Sequence, residues 1–481
     1  MKYLFLCALW GCTSLAMMAQ KPTDHLPHQR NVAMGGKPGP SGLPTAAQLR
    51  WHETEFYLFF HFGPNTFTNL EWGHGTEAED LFNPTALDCD QWCKVAKAAG
   101  ARGVVITAKH HDGFCLWPSQ YSTHTVRESP WQGGKGDVLR ELSAACQRHG
   151  LKLGLYLSPW DRNHPKYGTP EYNDVYVNTL TELLTQYGEL FEIWWDGANG
   201  EGPNGKKQVY DFHRFERVAA RLQPKAVVFS DIGPGCRWAG NEQGLILTET
   251  NWCTLDTAGF KRGEGAPHVD TLNKGNEYGK VWLPAECDVS IRPGWFYHAE
   301  EDSKVKTPEQ LYDIYLRSVG RNANLILNVP PDRRGRIHAN DSTALVAFGK
   351  MLRSRFGKNL AKGKPVYFGG LMNMSTKALT DENPQTGLPF PPEKNLWAVM
   401  LQFKKKTEIS ALMLQEDVTK GQRVRSFTVE AEVDGQWREL ARSTTIGYRK
   451  ILTFPAVETK KVKVVVTGAK GAPVLGEVRA Y

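Results

Sequence analysis

Eight apolar segments, each ending in a polar residue or in Gly or Pro, recur along the 481-residue chain and leave few folds open to it. They run over Phe56–Gly63, Gly103–Lys109, Lys152–Ser158, Glu192–Gly197, Ala226–Gly233, Leu245–Thr250, Val281–Ser290 and Leu325–Pro331. Runs this short, rich in bulky residues and stopped by turn formers, read as strands of a covered sheet. Helix-like stretches lie between several of them, over Cys89–Ala99, Gly136–His149 and Val175–Tyr187. Alternation of this kind means βαβ units and a parallel sheet, and eight strands predict a (β/α)8 TIM barrel whose active face gathers the strand ends. The segment Phe191–Gly197 delivers Asp196 to such an end. Its carboxylate either faces a substrate or caps the following Asp-Gly turn.

Length and charge fit an enzyme-sized globular protein. The net charge of +7, from 58 basic and 51 acidic residues, is spread without a dense basic block, so nucleic acid is not an expected partner. Aromatic residues make up 11% of the chain; core packing explains most individual Trp, and the gathering of the 15 Trp around the strand ends is what favours a sugar pocket. Met1–Gln20 has the pattern of a signal peptide, with Lys2 before an apolar stretch and Ala19 before Gln20. It predicts export to the periplasm or the exterior, with lipoprotein anchoring through Cys12 as the minor alternative, and no membrane span in the mature chain. Loss of the leader removes Cys7 and Cys12 and leaves seven scattered cysteines, which is not a disulfide framework. Cys89 and Cys93 lack a second ligand pair, so no zinc site is expected there.

Composition shifts set the boundaries. Residues 21–46, rich in Pro and Gly, read as an N-terminal arm, 47–357 as the catalytic barrel and 358–365 as a linker. Residues 366–481 change to short alternating segments, including Leu396–Phe403, Ile409–Leu414, Ser426–Val433 and Lys461–Thr467, and predict a C-terminal β-sandwich. Its last segments resemble the discoidin-like modules attached to glycosidases. This domain either buttresses the barrel or binds sugar, and no aromatic platform is evident for the second role.

Polar residues with chemical potential cluster at the strand ends. His61 follows the first strand, Lys109-His110-His111-Asp112 closes the second, and Glu71-Trp72 lies in the loop between. Adjacent strand residues point to opposite sides, so His110 and His111 are not expected to share a metal ion. Neutral imidazoles suit hydrogen bonding to sugar hydroxyls better.

In this order, the motifs FFHFG, KHHDGF, GLYLSPWD, WWDGANG and RWAGNEQG over Trp51–Pro331 resemble glycoside hydrolase family 29, the α-L-fucosidases. The later segment AECDVSIRPGWFYH extends the likeness to the subfamily that cleaves α-1,3/1,4-linked fucose from branched oligosaccharides or glycans. The resemblance implies a retaining enzyme, with Asp196 as nucleophile and no cofactor, since two carboxylates supply both nucleophile and proton. Three glutamates compete for the acid/base role. The resemblance places it on Glu242, in the loop Arg237–Gly244; Glu286, with Arg292 near in sequence, suits a structural or substrate-orienting role, and Glu249 burial against a barrel partner. The resemblance also places His61, His110, His111 and Trp194 in the fucose subsite, together with Tyr156 and Trp72. Glu286 counts as a further substrate-binding residue, and Arg292 and Trp295 are expected to line the aglycone side. A catalytically inactive fucose-binding lectin, or a retaining glycosidase for another sugar, would share the same barrel.

Overall fold

The structure is a computed structural model and describes residues 42–262, 268–368, 375–390 and 397–481. The leader and most of the N-terminal arm lie outside the described residues. Eight parallel strands close a barrel: β1 (Phe56–Phe60), β2 (Gly103–Lys109), β3 (Lys152–Leu157), β4 (Leu190–Trp194), β5 (Val227–Ser230), β6 (Cys236–Trp238), β7 (Ala285–Ser290) and β8 (Asn324–Asn328). Alternation along each strand sorts side chains into two layers. On β1, Phe56, Leu58 and Phe60 pack outward beneath the helices, whereas Tyr57 and Phe59 fill the interior with Val105, Tyr156, Trp194, Phe229 and Ile326. Both faces are covered, and for that reason the strands read as continuous apolar runs.

The helices over Cys89–Ala99 and Val138–His149 begin where Asp88 and Asp137 accept backbone N–H groups, from Gln91 and Arg140. They end at Gly100 and Gly150, which adopt the left-handed conformation that terminates a helix with least cost at glycine. The third helix runs over Tyr172–Gln186.

One strand differs from expectation. Leu245–Thr250 is not part of the barrel; the sixth strand is Cys236–Trp238, only three residues long. No helix precedes it. The chain doubles back over Asp231–Gly235, where the Gly235 N–H bonds to the Val228 carbonyl at 2.8 Å. A Cβ at Gly235 would come within 2.6 Å of the Val228 nitrogen, so the return is open only to glycine. The charge in the middle of β6 further disguises it. Arg237 is fully buried, and its guanidinium donates to the carbonyls of Leu272, Leu283 and Trp252 and to Asn251. Leu245 and Ile246 instead join the outer core. The stretch Val281–Ser290 also divides: Val281–Trp282 pairs with Thr254–Leu255 in a two-stranded ribbon, and only Ala285–Ser290 enters the barrel.

After the barrel, antiparallel strands over Trp397–Glu416, Val424–Val433, Gln436–Thr444, Lys450–Ala469 and Val474–Ala480 build the sandwich around a separate core. Residues 397–403 and 409–414 of the expected segments are parts of one 20-residue strand, Trp397–Glu416, whose pairing shifts register between Gln402 and Thr407. The sandwich is bonded to the segment between β6 and β7. Glu249 pairs with Arg321 of the barrel at 2.5 Å and with Lys450 of the sandwich at 2.8 Å, and it accepts from Ser443 at 2.8 Å. Gln422 bonds both Asn251 and Cys253. All seven cysteines among the described residues are buried thiols.

Candidate active site

Asp196 leaves the end of β4 and rests at the mouth of the barrel, about a quarter exposed. Its two oxygens have different surroundings. Oδ1 accepts the Ala198 N–H at 2.8 Å and so shapes the Asp-Gly turn. Oδ2 faces the pocket, where the Tyr156 hydroxyl donates to it at 3.0 Å and His111 Nε2 lies 3.8 Å away. Burial, reinforced by the Asp196 charge, holds the Tyr156 phenol well above its ordinary pKa, so it remains a donor.

Three imidazoles form one wall. Burial lowers His61 and His111 to about 4, and His110 well below the ordinary histidine range, so all three are neutral near pH 7. His110 and His111 do not point apart. The strand ends at Lys109 and the chain turns, with the Gly113 N–H on the His110 carbonyl at 3.1 Å, which leaves the two rings 4.1 Å apart on the same wall. Hydrogen bonding assigns their tautomers. Ser158 donates its hydroxyl hydrogen to the Trp160 carbonyl and therefore accepts from His111 Nδ1 at 2.7 Å. Asn328 donates its amide to Ser290 and to the Trp295 carbonyl, so its oxygen accepts from His61 Nδ1 at 2.8 Å. His61 and His111 thus each keep Nε2 as an acceptor, the atom needed to bind a sugar hydroxyl.

The floor is aromatic. Trp194 stacks on Phe229 with ring centroids 4.1 Å apart and on Tyr156 at 5.2 Å, and it donates its indole N–H downward to Glu286 at 2.8 Å. This corrects the substrate-binding expectation for Glu286. Alternation on β7 places it beneath the floor, fully buried, where Tyr57 also donates to it. Glu192, Cys236 and Glu286 bring their polar atoms within 4.8 Å of one another there, and burial raises both carboxyls above the ordinary range, so they stay protonated more readily than exposed acids.

Arg292 also departs from expectation. It neither pairs with Glu286 nor lines a pocket; it is buried, bound through Nε and Nη2 to Asp341 and ion-paired with Asp302 at 2.9 Å. Its guanidinium lies 4.7 Å from the Tyr297 ring centre. The Arg fixes the base of a loop whose tip carries Trp295 and Phe296 to the pocket. Glu71 holds that tip, accepting the backbone N–H groups of Trp295 and Phe296 at 2.8 and 3.2 Å and bonding His298 at 2.5 Å. Trp295 packs 5.2 Å from His61 and donates its indole N–H to Glu242 at 3.3 Å. Trp72, 55% exposed, stands on the rim at right angles to Trp160 and His111.

Glu242 is exposed on its loop, which is tied at both sides of its base. Asn273 bonds the carbonyls of Ala239 and Leu245, and Gln243 bridges to Val289 of β7. Beside it is Asp288, buried, accepting the Trp238 indole N–H at 2.7 Å. Burial, with the Glu242 charge adding to it, raises the Asp288 carboxyl well above its usual range. The arrangement therefore joins a carboxylate at the mouth, Asp196, a second carboxylic residue at the rim, Glu242, and a wall of neutral hydrogen-bond acceptors. A pair of carboxylic residues beside hydrogen-bonding and aromatic walls is the set of groups that glycoside hydrolysis uses.

Asn328, Asp231 and Asp288 were not singled out from sequence. A signal existed for Asp231, which ends an apolar strand just as Asp196 does. For Asp288 it did not, because its inward direction depends on where β7 begins.

Comparison with known proteins agrees with this geometry. Residues 43–356 match the model of the family described as Alpha-L-fucosidase. The Arabidopsis thaliana protein Alpha-L-fucosidase 1 is 43% identical over 448 residues, covering 91% of this chain and 87% of that protein. Among solved structures, a glycoside hydrolase 29 family member from an unknown rumen bacterium is 41% identical with a TM-score of 0.79, over 92% of this chain and 78% of the other. A Ruminococcus gnavus GH29 fucosidase in complex with fucose is 30% identical with a TM-score of 0.81, over 93% and 97%.

Proposed function

Because the chain belongs to the α-L-fucosidase family of glycoside hydrolases, we propose that it is an exported, retaining exo-α-L-fucosidase acting on α-1,3/1,4-linked fucose of branched oligosaccharides or glycans. The observation that carries this reading is the environment of Asp196. Its Oδ2 faces the pocket beside a Tyr156 donor and neutral histidines, while Glu242 is held at the rim by Trp295.

Asp196 attacks the anomeric carbon as the glycosidic bond breaks, and Glu242 gives its proton to the departing oxygen. The product is a fucosyl ester on Asp196. Glu242, now ionised, removes a proton from water, which attacks the same carbon and releases fucose with its configuration retained. Tyr156 stabilises the Asp196 carboxylate each time it is regenerated. His61, His110, His111 and the Trp194 floor bind the hydroxyls and apolar face of the sugar, and Trp72 and Trp295 flank the way out. Two aromatic walls at that exit support a branched aglycone, whose remote binding energy is expressed at the transition state.

The test is hydrolysis of 4-nitrophenyl α-L-fucoside by Asp196→Ala, expected to lose ~10³-fold or more with the fold retained. Wild-type activity in that variant overturns the role. Fucose release from α-1,2- against α-1,3/1,4-linked oligosaccharides tests the linkage, and efficient cleavage of the α-1,2 disaccharide with no preference for branched glycans counts against it.

A further inference from the structure

A second carboxyl lies at the level of Asp196 on the neighbouring strand, and one of its oxygens has no partner. In the parallel pairing of β4 with β5, Trp194 is opposite Phe229, and the two rings stack inside the barrel. Asp196 and Asp231 each follow by two residues, just past the ends of their strands, and Gly197, next to Asp196, lies against the Asp231 carboxyl. Asp231 is only 6% exposed. Its Oδ1 accepts the Ile232 N–H at 3.2 Å, whereas Oδ2 is buried without a hydrogen bond. Gly197 leaves the space before that oxygen open, since a Cβ on Gly197 would lie 3.4 Å from Asp231 Oδ2. On the opposite flank Asp196 is already served by Tyr156 and His111. Burial, with the charge of Asp196 contributing, pushes the Asp231 carboxyl up to about 6. An unpaired buried polar atom is costly, and one beside a reaction centre has a natural partner in the substrate.

We propose that Asp231 is a substrate-binding residue of the fucosyl subsite, whose unpartnered oxygen accepts a hydrogen bond from the hydroxyl on C2 of the sugar. The inference rests on Asp196 being the nucleophile, which puts C1 over its carboxylate and leaves the ring oxygen and C2 as the flanking ring atoms. The ring oxygen carries no proton and becomes more positive at the transition state. The C2 hydroxyl can donate, and a hydrogen bond to it strengthens as the oxocarbenium character develops. Asp231 therefore contributes more to turnover than to ground-state binding.

α-L-Fucosyl fluoride isolates the first step, because its leaving group departs without a general acid. Asp231→Ala and Asp231→Asn are expected to lose about ten-fold or more in kcat/KM on this substrate. On the 2-deoxy fluoride, wild type and both variants should agree within about two-fold. An equal loss on both fluorides, or no loss on either, overturns the assignment. If neither variant folds, the wild type alone decides. The ratio of inhibition constants for L-fucose and 2-deoxy-L-fucose should shift several-fold between about pH 5 and about pH 7.5, and a constant ratio overturns the proposal. Mapping the residue esterified by 2-deoxy-2-fluoro-fucosyl fluoride tests the premise separately. A label elsewhere than Asp196 removes the nucleophile assignment and this inference with it; a label on Asp196 without C2 selectivity in the Asp231 variants removes only the inference.

Discussion

The indole N–H of Trp295 reaches Glu242 at 3.3 Å while the same ring packs 5.2 Å from His61, so one side chain connects the rim carboxyl to the histidine wall. Trp295→Phe keeps an aromatic ring and deletes the donor together with the second ring of the indole. It should lower kcat/KM on branched oligosaccharides about three- to ten-fold and leave fucosyl fluoride within about two-fold of wild type. An equal loss on the fluoride would mean that Trp295 acts on the sugar itself and not through Glu242.

Glu242 and Glu286 should separate by leaving-group chemistry and by stability. In Glu242→Ala, aryl fucosides still form the fucosyl-enzyme, and azide, which needs no general base, restores turnover as fucosyl azide. Glu286→Ala leaves Tyr57 and Trp194 without their buried acceptor and should cost about 2–4 kcal/mol, read as a lower melting temperature, with no azide rescue. Azide rescue of Glu286→Ala with none for Glu242→Ala would exchange the two roles.

The buried acids under the floor set a pH dependence of stability. Burial raises Glu192 and Glu286 above the ordinary 4.5, so the folded protein keeps protons that the unfolded chain releases. Their contribution is full below about 4.5 and is lost as pH rises through the folded values. Glu192→Gln removes one ionisation. The melting temperature of the variant should therefore fall less than that of wild type between about pH 5 and about pH 9, and parallel curves would show that the pair does not carry the effect.

Arg292→Met leaves Asp341 buried without its cation, a change expected to cost about 3–5 kcal/mol. Thermal unfolding measures that loss. Because Arg292 touches the loop base and not the pocket, the folded fraction should keep a KM for aryl fucoside within about three-fold of wild type. A large KM change at unchanged stability would return Arg292 to the sugar.

Much of the barrel was legible because burial on both faces leaves a local signature: a run of apolar residues and then a turn. Seven of the eight anticipated segments overlap a barrel strand. The sixth strand escaped because its three residues include a buried arginine whose charge is satisfied by backbone carbonyls far along the chain. Leu245–Thr250 had the apolar character of a strand but spends it against the outside of the barrel. The site divides in the same way. His61, His110, His111, Tyr156, Trp194 and Asp196 lie at or beside strand ends and meet at one mouth. Glu286 and Arg292 looked equally available by residue type, yet what decides their position is strand phase for one and a partner at Asp341 for the other. Neither is encoded by nearby residues.

The attachment of Glu249 to Arg321 on one side and to Lys450 and Ser443 on the other limits what can be exchanged between relatives. The cut suggested by the linker is a boundary in the covalent chain only. The segment that continues from the Glu242 loop takes part of its support from side chains some two hundred residues later, so a graft of this barrel onto a foreign C-terminal module would have to bring a cation and a hydroxyl to the places of Lys450 and Ser443. The unit that can be exchanged intact is the barrel with its sandwich.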